Sequence, residues 1–164
     1  MFKSIFGKLL SAYSLIIIIA FILLGSLLFG LLGEYATTEK EEVLRYTGER
    51  VSELTVLLIE NYNPLVQRLY QMNLESYGTN TQSLIMVIDK DGEIFAISDS
   101  RYRNLEGQKL SKEQYGEILL GKDFKKIGDL KGMFSETVLT IGIPLRIGDE
   151  VQGGILLNTP IPEI

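Results

Sequence analysis

The stretch Leu9–Gly33, LLSAYSLIIIIAFILLGSLLFGLLG, carries no charged residue and constrains how the rest of the chain is read. As a helix of roughly 25 residues it would rise about 38 Å, enough to cross a hydrocarbon layer of roughly 30 Å with some tilt. Within that layer every backbone N–H and C=O must be paired inside the segment, which a single helix achieves. Ser11, Ser14 and Ser26 are compatible with it, because a hydroxyl can donate to a carbonyl one turn back. A cleaved secretory signal has an apolar run of only about 7–15 residues followed by a small-residue cleavage site. Here Leu31-Leu32-Gly33-Glu34-Tyr35-Ala36 is a poor site. A buried core helix would show a polar face. An uncleaved transmembrane helix over 9–33 is therefore expected.

The flanks orient it. Lys3 and Lys8 precede the span, and Glu34, Glu39, Glu41 and Glu42 crowd the other side. Lysine and arginine are retained on the cytoplasmic face, so residues 1–8 are expected inside and 34–164 outside the membrane. The net charge of −5 includes those two lysines, and the outer part alone stands near −7. That sign argues against binding nucleic acid or anionic lipid. The chain has no cysteine, so an exterior domain must be held by its core rather than by disulfides. Nor has it any histidine, which removes Ser–His–Asp and Cys–His catalysis and the usual zinc ligand sets. No catalytic residue, metal site or cofactor is expected.

From Glu34 to about Ser76 the sequence is charged, poor in glycine and periodic. Thr47, Val51, Leu54, Leu58, Tyr62, Leu65, Leu69 and Met72 recur at spacings of three and four, one helical stripe. Leu44, Val56, Leu57, Ile59, Val66 and Tyr70 widen it, so the helix is expected to touch more than one partner. A stalk helix over 34–77 follows, its membrane-near half pairing with a second copy and its later half packing on its own domain. Thr38-Glu39-Lys40-Glu41 fits a capping box, unless the helix runs on unbroken from the membrane. Asn63-Pro64 predicts a kink, or a restart with Asn63 as cap.

After Gly78 the period becomes strand-like. Ser83–Ile88 is a short apolar run, Asp89-Lys90-Asp91-Gly92 a reversal, and Glu93–Ser98 the returning strand of a hairpin. A calcium loop would need further ligands at fixed later spacing, and these do not follow. Ser111-Lys112-Glu113-Gln114 matches a capping box opening a short helix that ends at Gly121. A modest strand is expected over Phe124–Gly128. In the next, Val138, Thr140 and Gly142 face one way and Leu139, Ile141 and Ile143 the other. The last strand is Val151–Asn158, where Gly153-Gly154 marks close approach by a helix, a bulge or a ligand. The fold class is α+β, with five antiparallel strands and the stalk helix on one face.

The stretches MVIDKDGEIFAISDS (Met86–Ser100), LEGQKLS (Leu105–Ser111) and VLTIGIPLRIGDEVQGGILLNTP (Val138–Pro160) resemble the extracellular Cache sensor domain, the PAS-like fold of bacterial membrane receptors. The resemblance covers nearly the whole chain, with 78–160 as the sensor domain and 161–164 as the approach to a second span that the sequence does not reach. It implies the front part of a longer sensor histidine kinase in two-component signalling. Such a receptor would bind a small ligand or partner outside and pass the signal through a stalk dimer. A chemoreceptor ectodomain and a stand-alone anchored binding or scaffold protein are the alternatives. In such domains the ligand lies on the sheet face under the segment joining the second and third strands. That segment carries Arg101, Tyr102 and Arg103, with Lys125 and Lys126 on the following strand. Guanidinium groups bind carboxylates in a bidentate manner, so an organic acid held by Arg101, Tyr102, Arg103 and Lys125 is the expected ligand.

Overall fold

The structure, a computed structural model, describes residues 5–130 and 132–161, and the side chains of 31–37 are not described. The elements run α1 (Ile5–Glu60), α2 (Pro64–Thr81), β1 (Leu84–Asp89), β2 (Ile94–Ile97), a 3-10 segment (Ser100–Leu105), α3 (Lys112–Leu119), β3 (Phe124–Gly128), β4 (Val138–Ile147) and β5 (Glu150–Pro160). They form two compact units, residues 1–40 and 41–164. Residues 162–164, most of the expected approach to a second span, lie outside the described residues, as do the first four.

In the first unit, Ile5–Gly30 is the one described stretch long and apolar enough to cross a membrane, with a mean hydropathy of 2.6 and its large apolar side chains exposed. Ser11 donates to the carbonyl of Lys8 at 2.9 Å, so its hydroxyl is satisfied within the helix. Thr38 does not mark a helix start, because α1 continues through it without a break.

The second unit is built on an antiparallel sheet of order β2-β1-β5-β4-β3. Strand alternation gives the sheet two apolar faces. Leu44, Val51 and Leu58 of α1 and Tyr70 and Leu74 of α2 cover one, against Ile85, Val87, Leu139, Ile141, Ile143, Ile155 and Leu157. On the other, Tyr115 and Ile118 of α3 and Leu130 pack with Met86, Ile88, Ile94, Ile97, Phe124 and Leu156. Close approach of α1 depends on Gly48, where a Cβ would stand 2.5 Å from Ile143 Cδ1 and 2.8 Å from Leu157 Cδ1. The expected closeness at Gly153-Gly154 has two sources: a Cβ on Gly154 would meet Ile118 Cγ2 of α3 at 2.6 Å, whereas one on Gly153, beside a register shift, would collide with the backbone oxygen of Ile88 in β1.

The β1–β2 turn is made by Asp89, whose carboxylate accepts from the backbone N–H of Asp91 (2.8 Å) and Glu93 (2.9 Å), with Gly92 at φ +80°. Simple alternation fails in β2, and again near the β4–β5 turn, where Leu145 pairs with Gly153 but Arg146 with Val151. The register shifts between Val87 and Ile88, which pairs Val87 with Ala96 but Ile88 with Ile94. Phe95 is bulged out and 40% exposed, and Ile94 and Ile97 fall on the same face.

At Pro64 the helix restarts. Asn63 is extended (φ −154°, ψ 162°) and its side chain accepts from the N–H groups of Leu65 and Val66, both at 3.0 Å. The restart resets the helical phase, so the stripe drawn across it does not hold. In α2 the buried residues are Tyr70, Leu74 and Gly78, while Leu65, Leu69 and Met72, placed on that stripe, are exposed.

Tyr70 joins the two helices, its hydroxyl 2.9 Å from that of the buried Thr55, which also bonds the carbonyl of Val51 at 2.7 Å. Burial pushes the Tyr70 hydroxyl up to about 12, the Thr55 bond opposing it. Below pH about 10 folded and unfolded chains both hold this proton, whereas above it the unfolded chain releases it first. The contribution is therefore full below pH about 10 and lost as pH rises through about 12. Tyr70→Phe is expected to flatten the fall in stability across that window and to cost about 1 kcal/mol at neutral pH. Urea titrations of the full chain in micelles, followed by circular dichroism, measure both.

Candidate functional site

An antiparallel sheet gathers the starts of β1 and β4 and the ends of β2 and β5 at one edge. Here that edge opens into a cleft of about 540 Å³, within the roughly 300–1,000 Å³ typical of small-molecule sites. Leu84, Val138, Asn158 and Pro160 come from the strands, Glu75, Gly78 and Thr79 from the end of α2, and Gln82 and Ser83 from the link to β1. Ser98–Tyr102 close a third side, and Phe134 and Glu136 of the segment before β4 a fourth.

The floor is polar but internally satisfied. Asn158, 2% exposed, accepts from the Thr140 hydroxyl at 2.9 Å and donates its amide to the carbonyl of Leu84 at 3.1 Å. Ser98 Oγ accepts from the N–H of Ile85 at 2.9 Å, tying the end of β2 to β1. A Cβ on Gly78 would come within 2.5 Å of that oxygen, so α2 reaches the floor through its glycine. Gln71 holds α2 to β2 by donating to the carbonyl of Ile97 at 3.0 Å, and to Glu75 at 3.2 Å.

Asp99 organises the rim. Its carboxylate accepts from the backbone N–H of Arg101 at 2.9 Å, capping the 3-10 segment, and grips the same residue's guanidinium through Nε (3.0 and 3.1 Å) and Nη2 (2.6 Å). Those side-chain bonds, then the backbone bond, hold the Asp99 carboxyl below its ordinary range, and the Arg101 guanidinium is raised in turn. With Glu75 and Glu136 the lining holds three carboxylates against one guanidinium.

Of the four residues expected at a ligand, the structure brings two to the cleft, Arg101 and Tyr102. Arg103 lies further along the 3-10 segment and is not in the lining. Lys125 sits on β3, the far edge strand from β2, where its ammonium pairs with Glu41 of α1 at 2.5 Å. The middle of the sheet face beneath the β2–β3 segment is packed with Met86, Ile88, Tyr115, Ile118 and Leu156. Open space therefore lies at the end of the sheet instead. Glu75, Ser98, Phe134, Glu136 and Asn158 were not expected. Asn158 alone left a signal, a polar residue closing the run Ile155-Leu156-Leu157. Among the described residues no three Asp or Glu side chains gather closely enough to hold a metal ion.

The Lys125 pairing belongs to a cluster in which Arg45 also bridges Glu41 (3.5 Å) and Asp123. The hydrogen bond from Lys125 holds the Glu41 carboxyl below its ordinary range against desolvation, with Arg45 adding to it. A depressed carboxylate stabilises above its unfolded value, about 4.3, and its contribution is lost as pH falls through the folded one. Lys125→Met is expected to remove the larger part of that acid-side contribution, less than about 1 kcal/mol, leaving the part due to Arg45, with the difference from wild type vanishing near 1 M salt. Melting curves at several pH values and two salt concentrations check this.

No protein family matches the sequence, and no curated protein is significantly similar to it. Solved structures share its fold. The sensor domain of the V. cholerae histidine kinase DctB superposes with a TM-score of 0.59 at 17% identity, over 77% of this chain and 50% of that one. An extracellular ligand binding receptor from Desulfohalobium retbaense gives 0.54 at 14% identity, over 74% and 24%. The sensory domain of the Campylobacter jejuni chemoreceptor Tlp3 gives 0.54 at 11% identity, over 75% and 57%. The chain thus spans from about a quarter to somewhat over half the length of these structures. The fold is that of the Cache, PAS-like sensor domains, as the sequence resemblance implies.

Proposed function

We propose that this chain is the extracytoplasmic sensing region of a membrane-bound receptor, of the sensor histidine kinase kind, and that it is not itself an enzyme. Residues 9–33 anchor it with the amino terminus inside, and a small ligand binds in the cleft at the end of the sheet against Arg101 and Tyr102. The observation that carries this is the cleft itself, on a fold shared with the sensor domain of a histidine kinase. The fold is shared also with a chemoreceptor sensory domain, so a chemotactic output is the second reading.

Coupling needs the ligand to prefer one of two arrangements. The cleft is lined by the last turns of α2 and by the ends of β2 and β5, so a ligand there touches the helical layer and the sheet together. The helical layer also contains the outer part of α1, the helix that carries the anchor. Its exposed Val43, Tyr46 and Leu57 offer a face for pairing with a second copy.

In nanodiscs holding the full chain, a metabolite panel is expected to contain compounds that raise the melting temperature by several degrees. The shift should be lost in Tyr102→Ala and in Thr79→Trp, which fills the cleft from an exposed helical position. A panel without such compounds, or shifts indifferent to both substitutions, defeats the proposal. Because the chain has no cysteine, a single Tyr46→Cys is expected to cross-link two copies, and Lys3→Cys to react only with reagent on the cytoplasmic side.

A further inference from the structure

We infer that the cleft takes a small organic cation, an ammonium-bearing molecule with a compact apolar body, and not an organic acid. This rests on the proposal that the cleft is the ligand site, and adds the charge class of what it binds.

Arg101 is the cationic side chain of the lining, and it is already engaged. Asp99 occupies its Nε and Nη2 at 2.6–3.1 Å, the two-pronged geometry an incoming carboxylate would need. Asp99 thereby cancels the charge that Arg101 brings to the cleft, and an anion on the remaining Nη1 side of the guanidinium would lie beside the like charge of the Asp99 carboxylate. Asn158 offers no substitute, because its amide donates to the carbonyl of Leu84 at 3.1 Å and to that of Leu156 at 3.5 Å. Glu75 and Glu136, by contrast, form no ion pair among the described residues, and the Glu75 carboxylate accepts from the neutral amide of Gln71. Two carboxylates without an ion pair, contributed to the same concave lining by different elements, give it a focused negative potential. Tyr102 and Phe134 belong to the same lining, and aromatic faces attract cations. Leu84, Val138 and Pro160 supply the apolar surface for the ligand's body.

The test uses the full chain in phosphatidylcholine nanodiscs, with empty discs subtracted, and three probes of one shape: phenethylammonium, 2-phenylethanol and 3-phenylpropionate. Calorimetric titration is expected to rank them in that order, the ammonium tightest. Glu75→Gln and Glu136→Gln, both at exposed positions, should each weaken the ammonium about two- to five-fold and together about ten-fold, with added salt reducing the difference. Tighter binding of 3-phenylpropionate, improved by the glutamine variants, overturns the charge class while leaving the cleft as the ligand site. Ammonium binding untouched by either substitution overturns it as well, because the cation then sits elsewhere. Binding of none of the three overturns both the charge class and the cleft. Circular dichroism of each variant confirms that the fold is retained.

Discussion

Strand β5 is the constraint on which the second unit depends. It is hydrogen-bonded on both edges, to β1 and to β4, and its residues Gly153–Thr159 are buried. A strand closed on both edges and dry on both faces requires a layer on each side. Ile155 and Leu157 call for the helical layer of α1 and α2, Leu156 for that of α3. Each such side chain contributes about 1.5–3 kcal/mol when fully buried. The two layers reach the sheet by opposite devices. α1 comes close because the helix carries a glycine, Gly48, over Ile143 and Leu157, whereas α3 comes close because the strand carries one, Gly154, under Ile118.

The order of elements was legible because period and punctuation agree along most of the chain. Ser111 and Gln114 announce α3, and in the structure the Gln114 side chain accepts from the Ser111 N–H at 2.7 Å. The alternation from Val138 onward assigns every inward residue of β4 to its proper face, and Phe124–Gly128 is β3 as expected. What periodicity could not supply was phase across an interruption. A stripe extrapolated past Asn63 placed Leu65, Leu69 and Met72 on the buried side, but three non-helical residues rotate the next helix by an amount that spacing does not encode. The bulge at Phe95 is the same failure in a strand, one additional residue that reverses the alternation after it.

The site was less legible than the fold, for a different reason. Its lining comes from the ends of elements distant in sequence, from Glu75 to Pro160, and sheet order decides which ends meet. With β5 between β1 and β4, Leu84, Asn158 and Thr140 stand side by side across three strands. Nothing in their separate neighbourhoods marks them as companions. Lys125 fell the other way, because the crossover through α3 carries β3 to the far edge of the sheet. Composition alone also hides the partner of Arg101. Counting arginines treats each as free, whereas an aspartate two residues earlier is well placed to take the guanidinium and the backbone N–H together.

That local neutralisation bears on how any event in the cleft could reach α1. The ionic links between α1 and the sheet, Glu41–Lys125 and Arg45–Asp123, lie at the exposed β3 edge and are weak in water. The contacts that fix α1 against the sheet are apolar, with Leu44, Val51 and Leu58 on Leu139, Ile141 and Ile143 and with no side chain at Gly48 to act as a spacer. Packed apolar surfaces shift between discrete arrangements instead of deforming continuously. The end of α2 is both a wall of the cleft and, through Tyr70 and Thr55, a neighbour of α1. A ligand that moved Gly78 away from Ser98 would therefore act on α1 through the helix pair, and the salt bridges at β3 would follow that movement and not direct it.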